Sequence, residues 1–215
     1  MSRGIDRFLQ LKQRLGLFDD PYRFASEGEK NGRVKREPAL ETARRAITLL
    51  ANRNVLPLVS ELRRVAVIGP LANARAAMLG PWSAAGAARN CVTILEGLEA
   101  VLPRADIQFH EGVSIAGDDI EGIARACAVA REAEVVILCL GENAGMSGEA
   151  ACRATPRLPG RQRELAEAVL ATGAPVVAVI ASGRPLAAPW LVERAHATMA
   201  TWFHGDMAGA RLRMC

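Results

Sequence analysis

Short apolar runs alternate with longer segments of helical periodicity along most of the chain. The first run, "RVAVIG", places four apolar residues in a row at positions 65–68 and ends at Gly69. Runs of this length without polar alternation are typical of strands that are buried on both faces of a parallel sheet. The pattern returns in "ADIQFHEG", "EVVILCLG", "PVVAVIASG" and "ATMATWFHG". The sequence therefore predicts five strands.

Helical periodicity fills the intervals between these runs. Helices are predicted over residues 94–101, 120–132, 162–171 and 189–194. Alternation of strands and helices indicates a parallel sheet, because each crossover helix returns the chain to the same edge. We therefore expect an α/β fold, a mostly parallel open sheet with helices on both faces, which is a three-layer α/β/α sandwich.

Two more helices are predicted before the first strand. Apolar residues recur at helical spacing over residues 5–17, and "FDDPY" ends that segment. The segment "EPALETARRAITLLANRNVLPL" predicts a second helix that stops near residues 52–54, ahead of Pro57. We expect residues 1–60 to form a helical linker arm and residues 61–210 to form the α/β domain.

Glycines follow several predicted strands, where they let the backbone turn at the carboxyl edge of the sheet. They are Gly69, Gly112, Gly141, Gly183 and Gly205. In open α/β sheets, ligands bind along this edge. The loop that starts there at Gly141 reads "GENAGMSGEAACRATPRLPG" and carries two glutamates, Glu142 and Glu149, among small residues.

Composition and charge argue against several classes of protein. Hydrophobic residues make up 50% of the chain and charged residues 23%, the usual mix of a globular protein. Residues 1–64 contain fourteen Lys and Arg against eight Asp and Glu, and the rest contains thirteen against fifteen. The basic excess lies in the arm without aromatic interleaving or a basic stripe, so no nucleic-acid partner is expected. No run approaches the roughly 18 apolar residues of a membrane span, and no signal peptide is recognisable.

The cysteines do not indicate a disulfide framework or a metal site. There are five, an odd number, and none of them forms a C-x-x-C pair. Cys127 and Cys139 lie in apolar runs, where we expect buried, reduced thiols. Because no cluster of His, Cys and Asp has the spacing of metal ligands, we expect neither a metal nor a cofactor.

Motifs of three common enzyme classes are absent or incomplete. The segment "GPLANARAAMLG" lacks the G-x-G-x-x-G fingerprint of dinucleotide binding, and no P-loop motif occurs. Ser147 and Ser182 stand in "GMSGE" and "IASGR" instead of the G-x-S-x-G elbow of serine hydrolases. His204 follows a predicted strand, but this pattern does not favour a Ser-His triad.

The two glutamates of the loop allow two interpretations. Either both are solvated loop residues, or one is the carboxyl group that protonates a departing oxygen in glycoside hydrolysis. The small residues around Glu149 suit a mobile loop that approaches a ligand closely. Arg153, four residues further on, could anchor the loop or bind a substrate. Spacing alone favours the first interpretation.

Several segments, taken in order, resemble the C-terminal α/β domain of glycoside hydrolase family 3, the family of many bacterial β-glucosidases and β-xylosidases. "LKQRLGLFDDPY" resembles the segment that leaves the family's catalytic barrel, and "ETARRAITLLANRNVLPL" resembles the helix that follows. "RVAVIGPLAN" and "LGPWSAAG" resemble the first strand and its loop. The longest match runs from "VILCLGENAGMSGEAACR" to "GRPLAAPWL".

The resemblance implies a retaining, β-glucosidase-like hydrolysis of O-glycosyl bonds by two carboxyl groups from two domains. In the family, an aspartate of the barrel is the nucleophile. A glutamate in a stretch like M-S-G-E-A-x-x-R is the general acid and then the general base, and it corresponds to Glu149. The arginine of that stretch corresponds to Arg153. We interpret Arg153 and Glu142 as substrate-binding residues, with Glu142 mostly ordering the loop.

The resemblance also implies that the chain is a fragment. It starts where the barrel should already have ended, and it is incomplete at its C-terminus, so we expect no activity from it alone. Its expected partners are a β-glucoside or related oligosaccharide and a family 3 barrel domain. The alternative is a non-catalytic carbohydrate-binding or partner-docking domain, in which Glu149 transfers no proton. Full-length relatives are often periplasmic or secreted.

The arm has an apolar side formed by Phe8, Leu11, Leu15 and Phe18. The resemblance implies that this side packs between domains. We expect it to stay exposed in the absence of the barrel and to favour association between chains.

Overall fold

The computed structural model describes residues 2–24, 36–84, 86–203, 205–207 and 209. The chain divides between residues 35 and 36 into two compact units. The first unit contains the helix α1, Ser2–Arg14, and the second contains the α/β domain. Among the described residues, no helix combines the length and the apolar character needed to cross a bilayer.

Six strands form the sheet of the second unit. They are β1 (Thr48–Asn52), β2 (Arg64–Ile68), β3 (Asp106–His110), β4 (Val135–Gly141), β5 (Val176–Ala181) and β6 (Ala197–Ala200). Their spatial order is β1-β6-β5-β4-β2-β3. All neighbouring pairs are parallel except β1 with β6. The prediction of a mostly parallel open sheet is confirmed.

Helices cover both faces of this sheet. They are α3 (Arg75–Met78), α4 (Ile94–Val101), α5 (Gly122–Glu132), α6 (Gln162–Leu170) and α7 (Pro189–Arg194), while α2 (Arg36–Ala46) precedes β1. On one face Ile137 of β4 belongs to the same buried cluster as Leu98 of α4. On the other face Leu138 belongs to a cluster with Leu165 of α6. Because successive strand residues point to opposite faces, the unbroken apolar run of β4 contributes to both cores.

The second predicted helix is shorter than the sequence pattern indicated. Helix α2 ends at Ala46, and the residues that follow form β1, which pairs antiparallel with β6. The prediction was wrong there because helical spacing continues through Ile47 and Leu50, although "ITLL" also suits an edge strand. Pairing with β6 is a long-range contact that local periodicity does not encode. Strand β1 therefore belongs to the sheet, although it lies within the predicted arm of residues 1–60.

The strand order creates a crevice at the carboxyl edge, between β2 and β4. From β2 the chain runs to β3 on one side and then returns to β4 on the other side of β2. Such a reversal makes the loops after the two central strands diverge, and ligands bind in the opening. Gly141 ends β4 at φ 139°, and a Cβ there would lie 1.8 Å from the carbonyl oxygen of Ala181. Glycine thus lets the loop leave the sheet this close to β5.

Three of the described cysteines are buried, Cys91 and the two for which the sequence predicts burial. Cys127 lies in α5 and Cys139 in β4, and both are buried. Burial raises the pKa of the Cys139 thiol, so this side chain behaves as a small apolar residue. Cys215 lies outside the described residues.

The first unit presents large apolar side chains to solvent, and we expect them to cause self-association. Phe8, Leu11, Leu15 and Phe18 are 58%, 54%, 40% and 60% exposed. Exposed apolar surface of this kind favours contacts between molecules. The double variant F8S and L11S should reduce the concentration-dependent rise of the sedimentation coefficient measured by ultracentrifugation.

The matched control for this prediction is V59S, which changes a 60% exposed residue of the second unit. It should leave the self-association unchanged. A native chain that sediments as a monomer at every concentration would contradict the prediction.

Candidate active site

The loop between β4 and α6 carries all three residues that the sequence singled out. It begins at Gly141, the last residue of β4, and reaches Gly160 shortly before α6. A 3₁₀ turn, Ala144–Met146, occupies its first half. The Asn143 side chain accepts a hydrogen bond of 3.0 Å from the amide of Gly145 and caps this turn. The loop is therefore ordered before it reaches its tip.

Gln162 ties the start of the loop to the sheet. Its buried side chain accepts a hydrogen bond from the amide of Gly141 and donates one to the Gly141 carbonyl, both at 2.8 Å. Its amide nitrogen also donates to the carbonyl of Ile115 at 2.8 Å. The β2–β4 pairing ends at Ile68 and Leu138, so Gly141 extends beyond the end of β2. Gln162 therefore supplies partners that buried backbone groups need.

Glu142 comes next and is fully buried, at 0% exposure. Its Oε1 lies 2.6 Å from Nη1 of Arg153, which is a hydrogen-bonded ion pair. Its Oε2 lies 3.3 Å from Nε of Arg184, an ion pair without hydrogen-bond alignment. A buried carboxylate needs cations of this kind, because an unpaired charge away from water is costly.

This arrangement bears on the interpretation of Glu142 and Arg153 as substrate-binding residues. Both carboxylate oxygens of Glu142 face arginines inside the protein, and no part of the residue is exposed. Arg153 points inward to that carboxylate. The geometry supports a loop-ordering role for both side chains, and their contact with a substrate stays a prediction that this geometry does not favour.

Glu149 differs from Glu142 because it is exposed at the tip of the loop. Within the described part of the chain, its carboxylate has no hydrogen-bond or ion-pair partner. The next residue, Ala150, has a φ of 59°, a left-handed conformation that costs a non-glycine residue about 1 kcal/mol. Strained positions of this kind persist where surrounding contacts fix the backbone, and they cluster at functional sites.

A cleft of about 500 Å³ opens beside the tip, where Gly148 forms part of its wall. Trp82, Trp202 and Phe203 contribute aromatic surface to the same cleft. Trp82 is 73% exposed, and the indole nitrogen of Trp202 donates a 3.0 Å hydrogen bond to the carbonyl of Ala46. Aromatic walls with a few polar groups are typical of small-molecule sites. Glu149 is therefore the next residue in the chain after Gly148, which lines this concave and partly aromatic cleft.

Arg184 is the site residue that sequence reasoning missed. It follows β5 in the segment "ASGRP", and its side chain reaches Glu142 of the neighbouring loop. A signal was present, since Arg184 and Glu142 each come just after a predicted strand that ends in glycine. Neighbouring strands cannot be identified from those runs alone, so the contact was not visible.

The two serines that the sequence analysis considered and did not favour as nucleophiles are buried. Ser147 is 6% exposed and Ser182 is 3% exposed. The Ser182 hydroxyl donates a hydrogen bond to the carbonyl of Arg184, so it is engaged within its own loop. His204 lies outside the described residues.

Comparison with known proteins places the fold and the loop in a family. The family model for the glycosyl hydrolase family 3 C-terminal domain matches residues 47–214. The chain belongs to glycoside hydrolase family 3. This confirms the resemblance that the sequence motifs indicated.

Relatives of this family 3 chain are longer proteins. A periplasmic beta-glucosidase of Salmonella typhimurium is 36% identical over 232 aligned positions, which cover 94% of this chain and 30% of the relative. A beta-xylosidase of Formosa agariphila is 34% identical over 218 positions, with 97% of this chain and 30% of the relative covered. The chain therefore spans about 30% of the length of these two relatives.

A solved structure agrees with this family 3 assignment. The crystal structure of a beta-glucosidase from Listeria innocua in complex with isofagomine superposes with a TM-score of 0.83 at 34% identity. The superposition covers 95% of this chain and 28% of the Listeria chain.

Replacing Glu142 by alanine should destabilise the domain. The variant E142A leaves Arg153 and Arg184 without their shared anion, and removing one member of a buried ion pair is strongly unfavourable. We expect the free energy of unfolding to fall by about 3 kcal/mol in urea denaturation.

The matched control is E167A, which removes an exposed 2.9 Å ion pair with Arg163 on α6. Its effect should be below about 1 kcal/mol. Equal losses in the two variants would contradict a special role for the buried carboxylate.

Proposed function

We propose that this chain supplies the general acid/base of a retaining β-glycoside hydrolase, and that Glu149 is that residue. The observation that carries the proposal is the contrast between the two glutamates of one loop. Glu142 is buried and neutralised by arginines, whereas Glu149 is exposed at the tip, next to the wall of an aromatic cleft. The substrate class that fits is a β-glucoside or β-xyloside, the classes named for the relatives.

The chemistry has two steps, and Glu149 acts in both. In the first, a nucleophilic carboxylate bonds to the anomeric carbon while the glycosidic C–O bond breaks. The Glu149 carboxylic acid gives its proton to the departing oxygen, which would otherwise leave as an alkoxide. In the second step, the Glu149 carboxylate takes a proton from water. The oxygen of that water attacks the anomeric carbon, and the bond between this carbon and the nucleophilic carboxylate breaks.

The nucleophile has to come from outside the acid/base loop. A retaining mechanism needs its two carboxyl groups about 5 Å apart. Glu142, the other carboxylate of the loop, is fully buried and bound by two arginines, so it cannot attack a sugar. The relatives are about three times longer than the matched region. We therefore propose that a barrel domain, as in the rest of the family, carries the nucleophile and most sugar contacts.

The purified 215-residue chain should not hydrolyse glycosides on its own. We expect it to release no nitrophenol from 4-nitrophenyl β-glucoside or β-xyloside above the uncatalysed rate, because the proposal assigns the nucleophilic carboxyl group to a barrel domain. Absorbance at neutral to basic pH measures the product. Robust turnover by the isolated chain would overturn the proposed division of the two carboxyl groups.

The role of Glu149 is tested in a chimera. The corresponding region of the Salmonella typhimurium beta-glucosidase is replaced by this chain, and E149A is compared with the parent chimera. We expect kcat/KM for an unactivated aryl β-glucoside to fall about 10²- to 10⁴-fold, the usual contribution of general acid catalysis. Azide should restore turnover of an activated substrate and yield a glycosyl azide, since a small anion then replaces the base-activated water.

The control for the chimera is E132A, which changes an exposed glutamate at the end of α5. Helix α5 precedes β4, so its last residue lies at the amino edge of the sheet, opposite the loop. Its activity should match that of the parent. If E149A behaves like E132A, the alternative of a non-catalytic carbohydrate-binding or docking domain gains support.

A further inference from the structure

The side chain of Arg184 contacts the acid/base loop on both sides of Glu149. Arg184 lies on the loop that follows β5, so it belongs to a different segment of the chain. Its Nη2 donates hydrogen bonds to the carbonyl of Met146 and, at 3.1 Å, to the carbonyl of Ala151. These two carbonyls lie three residues before and two residues after Glu149. One guanidinium nitrogen therefore fixes the width of the turn that presents the carboxylate.

The same guanidinium also contacts the start of the loop. Its Nε lies 3.3 Å from Oε2 of Glu142, whose other oxygen binds Arg153 at 2.6 Å. Arg184 thus contacts Glu142, the first residue after β4, and the backbone on both sides of Glu149. A planar guanidinium with five N–H donors can hydrogen-bond both carbonyls while its charge faces the Glu142 carboxylate. A lysine ammonium is a compact charge on a flexible stem and cannot reproduce that fork.

The backbone around Arg184 is itself held against the loop. A Cβ on Gly183 would lie 1.9 Å from Oγ of Ser147, so the two loops touch directly at the tip. The Ser182 hydroxyl donates to the carbonyl of Arg184. Strand β5, which ends at Ala181, pairs with β4 and β6, so the loop that carries Arg184 starts from a strand that is fixed on both sides.

We infer that Arg184 is a positioning residue for the general acid/base: its guanidinium sets the conformation of residues 146–151 and so the location of Glu149. The inference rests on the proposed function of Glu149. Arg184 touches neither substrate nor reacting atoms in this role. Its loss affects catalysis by letting the tip leave the conformation in which the carboxyl group reaches the glycosidic oxygen. Small misplacements of this kind reduce rates up to about 10²-fold.

The first test uses the chain as it is, with the variant R184K. Hydrogen–deuterium exchange followed by mass spectrometry should show exchange about ten-fold faster in peptides that cover residues 143–151. Peptides from β4 and β5 should exchange as in the parent. Exchange that is unchanged across the loop, or accelerated throughout the domain, overturns the inference, since neither pattern is a local release of the tip.

The second test measures kcat/KM in the chimera with two substrates that differ in their need for a proton. The 2,4-dinitrophenolate ion leaves unaided, whereas the phenolate of a phenyl β-glucoside needs the acid. R184K should lower kcat/KM about ten-fold for the phenyl glucoside and less than about two-fold for the dinitrophenyl glucoside. A general loss of structure would lower both values equally, so this split is specific to positioning of the acid.

Arg53 offers a matched control. Its Nη1 also donates to two carbonyls, those of Val192 and Ala195, at 3.1 and 2.6 Å. Its backbone amide donates to the carbonyl of His196, just before β6, so it lies at the amino edge of the sheet. R53K should leave both kcat/KM values and the exchange of residues 143–151 unchanged.

The outcomes separate this inference from the proposed function. If E149A shows the split between the two substrates and R184K does not, the positioning role is wrong while the acid/base role stands. If E149A shows no split, the acid/base role is wrong and the positioning role falls with it. If R184K fails to fold in circular dichroism, R184Q replaces it, since Glu142 then keeps its 2.6 Å ion pair with Arg153. The same split is then required of it.

Discussion

The carboxylate of Glu142 imposes the main constraint on this site. It follows the last residue of β4 and is buried, so it has to be neutralised where it stands. One cation, Arg153, comes from beyond the tip of the same loop, and the other, Arg184, comes from the loop after β5. Residues 142 and 153, on either side of the tip, are therefore held at one point at the sheet edge. Between them, residues 148–150, which include Glu149, are exposed.

The sheet decides which residues meet at that point. Strands β4 and β5 are parallel neighbours, so their carboxyl ends lie side by side and bring Arg184 to Glu142. The order reverses between β2 and β4, which leaves an opening beside the same edge. Trp82 enters this region from the chain segment after β2, and Trp202 enters it from the segment after β6. The hydrogen bond of Trp202 to the carbonyl of Ala46 links the cleft to the end of α2. Residues far apart in the sequence converge there because parallel strands share one carboxyl edge.

Much of the fold and of the site could be predicted from the sequence. Where prediction failed, the failure has a physical cause. Strands β2, β4 and β5 were visible because each contains an unbroken apolar run, and β4 contributes to both cores. Strand β1 was not visible, since Ile47 and Leu50 continue a helical spacing and only pairing with β6 makes the segment a strand. Glu149 could be selected by its resemblance to a family motif. The difference between Glu142 and Glu149 could not be derived from spacing, because burial is decided by residues outside the loop. Arg184 was missed for the same reason.

The geometry also explains how a loop can be both exposed and precise. Exposed loop tips are normally the least ordered parts of a domain, because few contacts restrict them. Here Arg184 contacts the carbonyls of Met146 and Ala151, so the restriction acts on the backbone and leaves the Glu149 side chain untouched. A proton donor needs this combination, since its carboxyl group must be free to reach an oxygen on another molecule yet fall within a narrow range of positions. The contacts around the tip are therefore of the kind that the proposed proton transfer requires.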